Sequence, residues 1–209
     1  MRAPLILLLL LAGCGHDSPL SETGRLLGLG TGQETDRLAI AEAESGEDSD
    51  RPQLRLALGR RSASATLLQQ QGDRRLWRAP GGVVIATDGP RVVATAGLPQ
   101  IVMATRIDGT DPLDDARPLL ERSAEARRLV DIAGASRAPE TMRFGLAFDC
   151  RLRGDLTEEG LILVVERCRI PGLSPVTNRF WASPETGQVN FAEQWVGPGM
   201  GPLSLDFGP

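Results

Sequence analysis

The sequence predicts a mainly β protein: an antiparallel meander forming a barrel or sandwich-like single domain, with one or two short helices. Three observations predict it. Apolar residues recur with period two in several short segments, the spacing that gives a strand one buried face. Turn signals such as Thr87-Asp88-Gly89-Pro90 separate these segments by only a few residues, too few for a crossover, so neighbouring strands run antiparallel. The clearest segment, 144–152, alternates along its whole length, and 161–170 is a second strong strand.

The opening residues lie outside that domain. One arginine, Arg2, precedes a nearly all-leucine run over 5–11. A spanning helix needs about 20 apolar residues, so 1–13 reads as a signal peptide. It ends in Leu11-Ala12-Gly13-Cys14, small residues before a thiol. That ending resembles the bacterial lipobox, which implies a lipid thioether on Cys14 and cleavage before it. Gly15 follows the cysteine, and in similar lipoproteins this implies sorting to the outer membrane. Two or three acyl chains anchor firmly where one is marginal. Residues 14–24 read as a lipidated, turn-rich tether, and 25–209 as a single β-rich domain. The glycines at 28, 30 and 32 follow no strand, so that stretch is a loop rather than a phosphate cradle. Residues 36–44 could form a short helix capped by Asp36, and the acidic stretch that follows reads as a solvated loop.

The strands begin after Pro52. Leu54, Leu56 and Leu58 alternate with Arg55 and Ala57, and 63–69 alternates again. Segments 75–78, 82–87 and 91–96 continue the meander through tight turns. Residues 108–115 carry four aspartates, but their spacing lacks the glycine and distal glutamate of a calcium loop, so they read as solvated. Segment 116–134 stays open between helix and strand. In 144–152, Phe144, Leu146, Phe148, Cys150 and Leu152 share a face; in 161–170, Ile162, Val164, Glu166, Cys168 and Ile170 do. Pairing the two as a hairpin sets Cys150 opposite Cys168. Facing Cα atoms in a non-hydrogen-bonded pair lie about 4.5 Å apart, within disulfide reach. The same register places Asp149 against Arg169, which is favourable, and Arg151 against Arg167, which is not. Segments 178–182 and 188–196 form a last hairpin. A closing strand from Leu203 follows, and its edge would suit strand addition by a partner.

Several segments together carry a family resemblance. Residues 87–99, Thr-Asp-Gly-Pro-Arg-Val-Val-Ala-Thr-Ala-Gly-Leu-Pro, are similar to the "dG-x-v-v-x-T-x-GLP" segment of the YjbF lipoproteins, the family that includes the lipoprotein of the group 4 capsule operon. Trp77 lies where that family places a tryptophan. Residues 178–189 resemble its "N-x-[YF]-W-v-d-x-x-t-G" hairpin, and 194–198 its closing "Q-x-x-gP". The resemblance covers most of the chain from about Leu54, with 108–137 matching poorly. Phe191-Ala192-Glu193 departs from the basic or serine-bearing stretch expected there. The resemblance implies an outer-membrane-anchored, periplasm-facing β domain and an operon for making or exporting exopolysaccharide. It implies no known reaction.

Charge and composition narrow the chemistry. The formal net charge of −4 excludes a nucleic-acid footprint. The one histidine, His16, sits on the tether, so a His-based triad or multi-histidine metal site in the domain is ruled out. Cys150 and Cys168, exported to an oxidising space, are expected to pair. Neither catalysis, a cofactor nor a metal is expected. A carboxylate-based polysaccharide-modifying enzyme is the weaker alternative. Its candidates are Asp108, Asp111, Asp149, Glu166, Glu193 and Asp206. Glu166 stands out on an apolar face, where Arg143 or Arg179 could satisfy it. Trp77, Trp181 and Trp195 are candidate glycan-binding residues, offering apolar faces to sugar rings if exposed. The expected partners are the membrane, through the lipid, exopolysaccharide secretion proteins and the polysaccharide itself.

Overall fold

Short reversals after Pro52 lay each strand beside the one before it. The computed structural model describes residues 51–208, all within one compact unit. Its strands are β1 (Gln53–Leu58), β2 (Arg61–Gln71), β3 (Arg74–Ala79), β4 (Val83–Asp88), β5 (Arg91–Ala96) and β6 (Gln100–Ile107). They continue as β7 (Ala124–Gly134), β8 (Arg143–Leu156), β9 (Ile162–Arg169), β10 (Val176–Ala182), β11 (Val189–Gln194) and β12 (Leu203–Asp206). All described pairings are antiparallel, in the order β5-β4-β3-β2-β1-β12-β11-β10-β9-β8-β7-β6. β5 and β6 are consecutive in the chain yet stand at opposite ends of that order. The sheet therefore curls until they face each other, a nearly closed barrel with one unladdered seam. It is a barrel and not a sandwich.

Among the described residues the only helical turns are 3-10: Pro80–Gly82, Arg117–Leu120 and Pro139–Thr141. The helix expected over 36–44 lies outside the described residues. Segment 116–134 resolves into a 3-10 turn followed by β7, whose inward phase holds Val130 and Ile132. The closing strand is not an edge, because β12 is paired to β1 on one side and β11 on the other. The free edges belong to β5 and β6.

Alternation sends one face of each strand inward. Leu54, Ile85, Phe148, Leu152, Ile162, Val164, Phe180 and Leu205 are fully buried, each contributing about 1.5–3 kcal/mol relative to exposure. Phe144 breaks its expected phase and is 65% exposed. Gly145, at φ +63°, and a register shift opposite Asp131 swing it outward, and Asp131 Oδ1 accepts the Gly145 N–H.

The 108–123 connection is docked rather than solvated. Leu113, Ala116 and Leu119 are buried in the core, Ala116 N–H donates to the Gly187 carbonyl, and Leu119 packs on Gly154. An up-and-down meander sends alternate reversals to the same end, so this connection covers the end that also carries the 183–187 turn. Its apolar residues fill that mouth and carry Asp111 with them.

Candidate functional site

Four charged side chains meet inside the barrel. Arg91 comes from the start of β5, Arg128 from β7, Glu166 from β9 and Asp111 from the docked connection. Arg91 and Glu166 are fully buried and Arg128 nearly so. Arg91 makes a two-point contact with the Asp111 carboxylate through Nε and Nη2. Glu166 Oε1 meets Arg91 Nη2 at 2.9 Å, a charge contact without hydrogen-bond alignment. Glu166 Oε2 accepts from Arg128 Nη2 at 3.2 Å and from Asn178 Nδ2 at 2.5 Å. The guanidinium planes also lie over aromatic rings, Arg91 on Phe180 at 5.5 Å and Arg128 on Phe148 at 5.0 Å, a favourable placement for a desolvated cation. Two positive and two negative charges balance, which is how such groups survive burial.

Electrostatics fix the protonation states. Burial alone would push the Glu166 carboxyl up. The charges of Arg128 and Arg91, the close Arg91 contact and the hydrogen bond from Asn178 outweigh it and hold Glu166 at about 2. Burial likewise opposes the charge on Arg91, but Glu166 and Asp111 more than offset it and raise its pKa. Burial lowers Arg128, with Glu166 opposing and the neighbouring Arg91 charge adding to the fall; a guanidinium still stays protonated. A carboxylate so locked and so far from solvent cannot serve as a general acid, which needs a pKa near the working pH.

Glu166 was rightly singled out by its apolar strand face, but its partners are Arg91 and Arg128, not Arg143 or Arg179. Arg179 instead pairs with Glu193 on the outer wall at 3.4 Å. Of the other candidate carboxylates, Asp149 pairs with Arg127 and Asp206 with Arg55, and Asp108 is exposed in the connection after β6. Only Asp111 and Glu166 converge, and they do so on one arginine. The inward phase of Ala124, Ala126, Arg128 and Val130 would have flagged Arg128 had 116–134 been read as a strand. Arg91 had no such signal.

The cysteines pair as the hairpin register requires. Cys150 sits opposite Cys168 with Cα atoms 4.0 Å apart, and the two form a disulfide. Arg128 Nη2 approaches Cys168 Sγ at 3.8 Å. Cys150, Cys168 and Glu166 bring donor atoms within 4.8 Å of one another. They do not fit a metal ion: both sulfurs are bonded to each other and the carboxylate is held by two cations. Cys14 lies outside the described residues.

The tryptophans do not form one exposed face. Trp77 is 3% exposed and its indole N–H donates to Thr87 Oγ1 at 3.1 Å. It is a core anchor and leaves no face for a sugar. Trp181 is half-buried on the outer wall, edge-on to Phe191 at 5.1 Å, so the departing Phe191-Ala192-Glu193 stretch supplies a ring to Trp181 and a carboxylate to Arg179. Trp195, just past β11, packs on Phe148 at 5.3 Å. It also lines a cavity of about 360 Å³ with Leu173, Pro175, Arg179 and Met200.

The segments that carried the family resemblance turn out to hold the barrel shut. Gln194 reaches the free edge of β5: its Oε1 accepts the Val92 N–H at 3.1 Å and its Nε2 donates to the Pro90 carbonyl at 2.7 Å. That side-chain amide does the work of a missing strand. Thr95 Oγ1 accepts the Val102 N–H at 2.9 Å, bridging the seam. Gly97, at φ +76°, lies so close to the Gly82 carbonyl that no side chain fits, and Gly197 lies as close to Gln100. Asn178 joins the two systems, donating to Glu166 and accepting the Trp195 N–H at 2.8 Å.

Comparison with known proteins agrees with this geometry. The family described as "Group 4 capsule polysaccharide lipoprotein gfcB, YjbF" matches residues 39–207, a span that includes the 108–137 stretch where the visible resemblance was poor. No curated protein matches the chain. A crystal structure of the hypothetical lipoprotein YmcC from Escherichia coli (K12) is similar in fold, with a TM-score of 0.67 and 16% identity, covering 82% of this chain and 94% of that one. The chain therefore belongs to the YjbF family of group 4 capsule polysaccharide lipoproteins.

Proposed function

We propose that the protein is a non-enzymatic accessory factor in exopolysaccharide or capsule production or export, held on the periplasmic side of the outer membrane by a lipid on Cys14. The family match over residues 39–207 carries this reading. The barrel interior supports the non-enzymatic part, since its converging carboxylates are neutralised by arginines and Glu166 is shut off from solvent. Residues 1–13 act as the signal peptide and 14–24 as the tether. The partners are envelope proteins of polysaccharide secretion. A second reading, direct contact with the polymer, is favoured by the half-buried Trp195 in its cavity.

Gene deletion tests the role. Secreted polymer should fall, and the lipidated wild type should restore it. A Cys14→Ser form, exported behind a signal peptide that is cleaved without lipidation, should not. Unchanged polymer in amount and size would remove the export role; full rescue by the unanchored form would remove the anchor.

A further inference from the structure

We propose that the outer wall of β7–β10 binds an acidic polysaccharide chain, with exposed arginines holding its carboxylate or phosphate groups and the Trp195 cavity taking a sugar ring. The proposal deepens the accessory reading and rests on it only for the polymer met in the cell.

Outward phases of these strands carry Arg127, Arg151, Arg153, Arg167, Arg169 and Arg179, all exposed. In a chain of net charge −4 this is a local concentration of positive charge. Three of the six have nearby carboxylates: Arg127 with Asp149 at 3.6 Å, Arg153 with Asp155 at 3.7 Å and Arg179 with Glu193 at 3.4 Å. The other three have none within ion-pair distance, although Asp149 stands opposite Arg169 and Glu125 opposite Arg151 in the ladders. Arg151 donates only to Ser123 Oγ, while Arg167 and Arg169 have no hydrogen bond or ion pair among the described residues. Glu125 is the cross-strand neighbour of Arg151 but lies beyond ion-pair distance. Arg151 and Arg167 stand directly opposite in the β8–β9 ladder, a like-charge pairing that costs stability. An anion seated between them would convert that repulsion into two charge-assisted bonds of the fork-shaped kind guanidinium favours.

The wall is also shaped for a chain. A cavity of about 1150 Å³ runs over Arg127, Arg151, Arg167 and Arg169, with the disulfide cysteines among its lining residues. It shares Pro175 with the 360 Å³ cavity at Trp195. Arg179 in the smaller cavity is the register partner of Val165 in the larger. The two form one track, apolar and aromatic at one end and arginine-rich along the rest, where five arginines outnumber the carboxylates of Asp108, Glu125 and Asp149. Asp149 and Glu125, interleaved with the arginines, would repel a uniformly anionic bilayer. A single chain with spaced charges can thread between them, so a polymer is the better fit than a membrane surface.

The test uses the exported Cys14→Ser chain, with polygalacturonate as the acidic probe and dextran as the neutral one. Polygalacturonate should bind and dextran should not, and binding should weaken with salt. Arg167→Glu should weaken it at least tenfold while raising the melting temperature, because the new carboxylate faces Arg151. Arg169→Ser should weaken binding with the fold unchanged. Arg61→Glu, the same charge change on β2, should leave binding intact. Equal binding by Arg167→Glu and Arg169→Ser, or equal binding of dextran, would overturn the proposal. Capture on phosphatidylglycerol vesicles with no binding of polygalacturonate would overturn it too, and would assign the wall to a membrane. The deletion phenotype does not enter this test, so either can fail alone.

Discussion

Arg127 and Arg128 are consecutive residues, and so are Glu166 and Arg167, yet within each pair the two side chains occupy opposite walls of the same strand. Arg128 and Glu166 point inward, meet each other at 3.2 Å and are closed off from solvent. Arg127 and Arg167 point outward into water; one has a loose carboxylate neighbour and the other none. All four are charged and three are arginines, and the surroundings reverse their meaning. Inside, an unpaired charge is intolerable, so every ion is matched and the cluster acts as an electrostatic strut. Outside, solvent screens each charge, unmatched arginines cost little, and they remain available to a ligand.

The largest way to break this contrast is to remove the inner carboxylate. Glu166→Ala leaves Arg91 and Arg128 buried without their shared partner and should cost about 3–5 kcal/mol in urea unfolding. A loss under about 1 kcal/mol, the size of a surface pair, would show that the interior is wetter than its burial implies.

Next in size is the bond joining the two strands that carry both walls. The disulfide closes a loop with a sequence separation of 18, and loops of that order contribute about 3 kcal/mol. Cys150→Ala with Cys168→Ala should lower stability by about that amount and leave the inner ion cluster assembled.

Acid titration sharpens the inner half of the comparison. Glu166 is held at about 2, below its ordinary 4.5. A depressed carboxyl stabilises the fold fully above its unfolded value, so its contribution is intact at neutral pH. It is lost as pH falls from about 4.5 toward 2. Unfolding midpoints measured across that window should drop steeply for the wild type and more shallowly for Glu166→Gln. Parallel curves would mean that Glu166 is not the group responsible.

The smallest effect belongs to the outer wall. Arg127→Ala removes an exposed pair with Asp149 and should cost under about 1 kcal/mol, whereas Arg128→Ala, one residue along, should cost several-fold more. Equal costs would erase the distinction between the walls.

Much of the scaffold was legible because a strand's side chains alternate and short turns leave no other topology. The 144–152 and 161–170 segments, their register, the Cys150–Cys168 pairing and the Arg151–Arg167 clash all follow from counting residues on a hairpin. Phe144 escaped that count because a bulge at Gly145 changes the phase locally. The docked 108–123 connection is not legible because its aspartates dominate its composition, while three apolar residues spaced three apart, Leu113, Ala116 and Leu119, decide its place. Trp77 could not be assigned to core or surface from its own neighbours, since burial depends on what packs over it.

By itself, then, the sequence determined the local geometry and the class of the protein: a run of antiparallel hairpins, a cysteine pair in register, and motif segments of the YjbF type. Only the tertiary structure decided how the meander closes. That closure sets β5 against β6, brings Gln194 onto the edge of β5, and places Arg91 beside a Glu166 that lies 75 positions away in the chain. Ladder pairing acts between neighbours and can be read from neighbouring residues. Curling twelve strands into a barrel depends on the summed twist and bulges of all of them, and no single segment carries that sum.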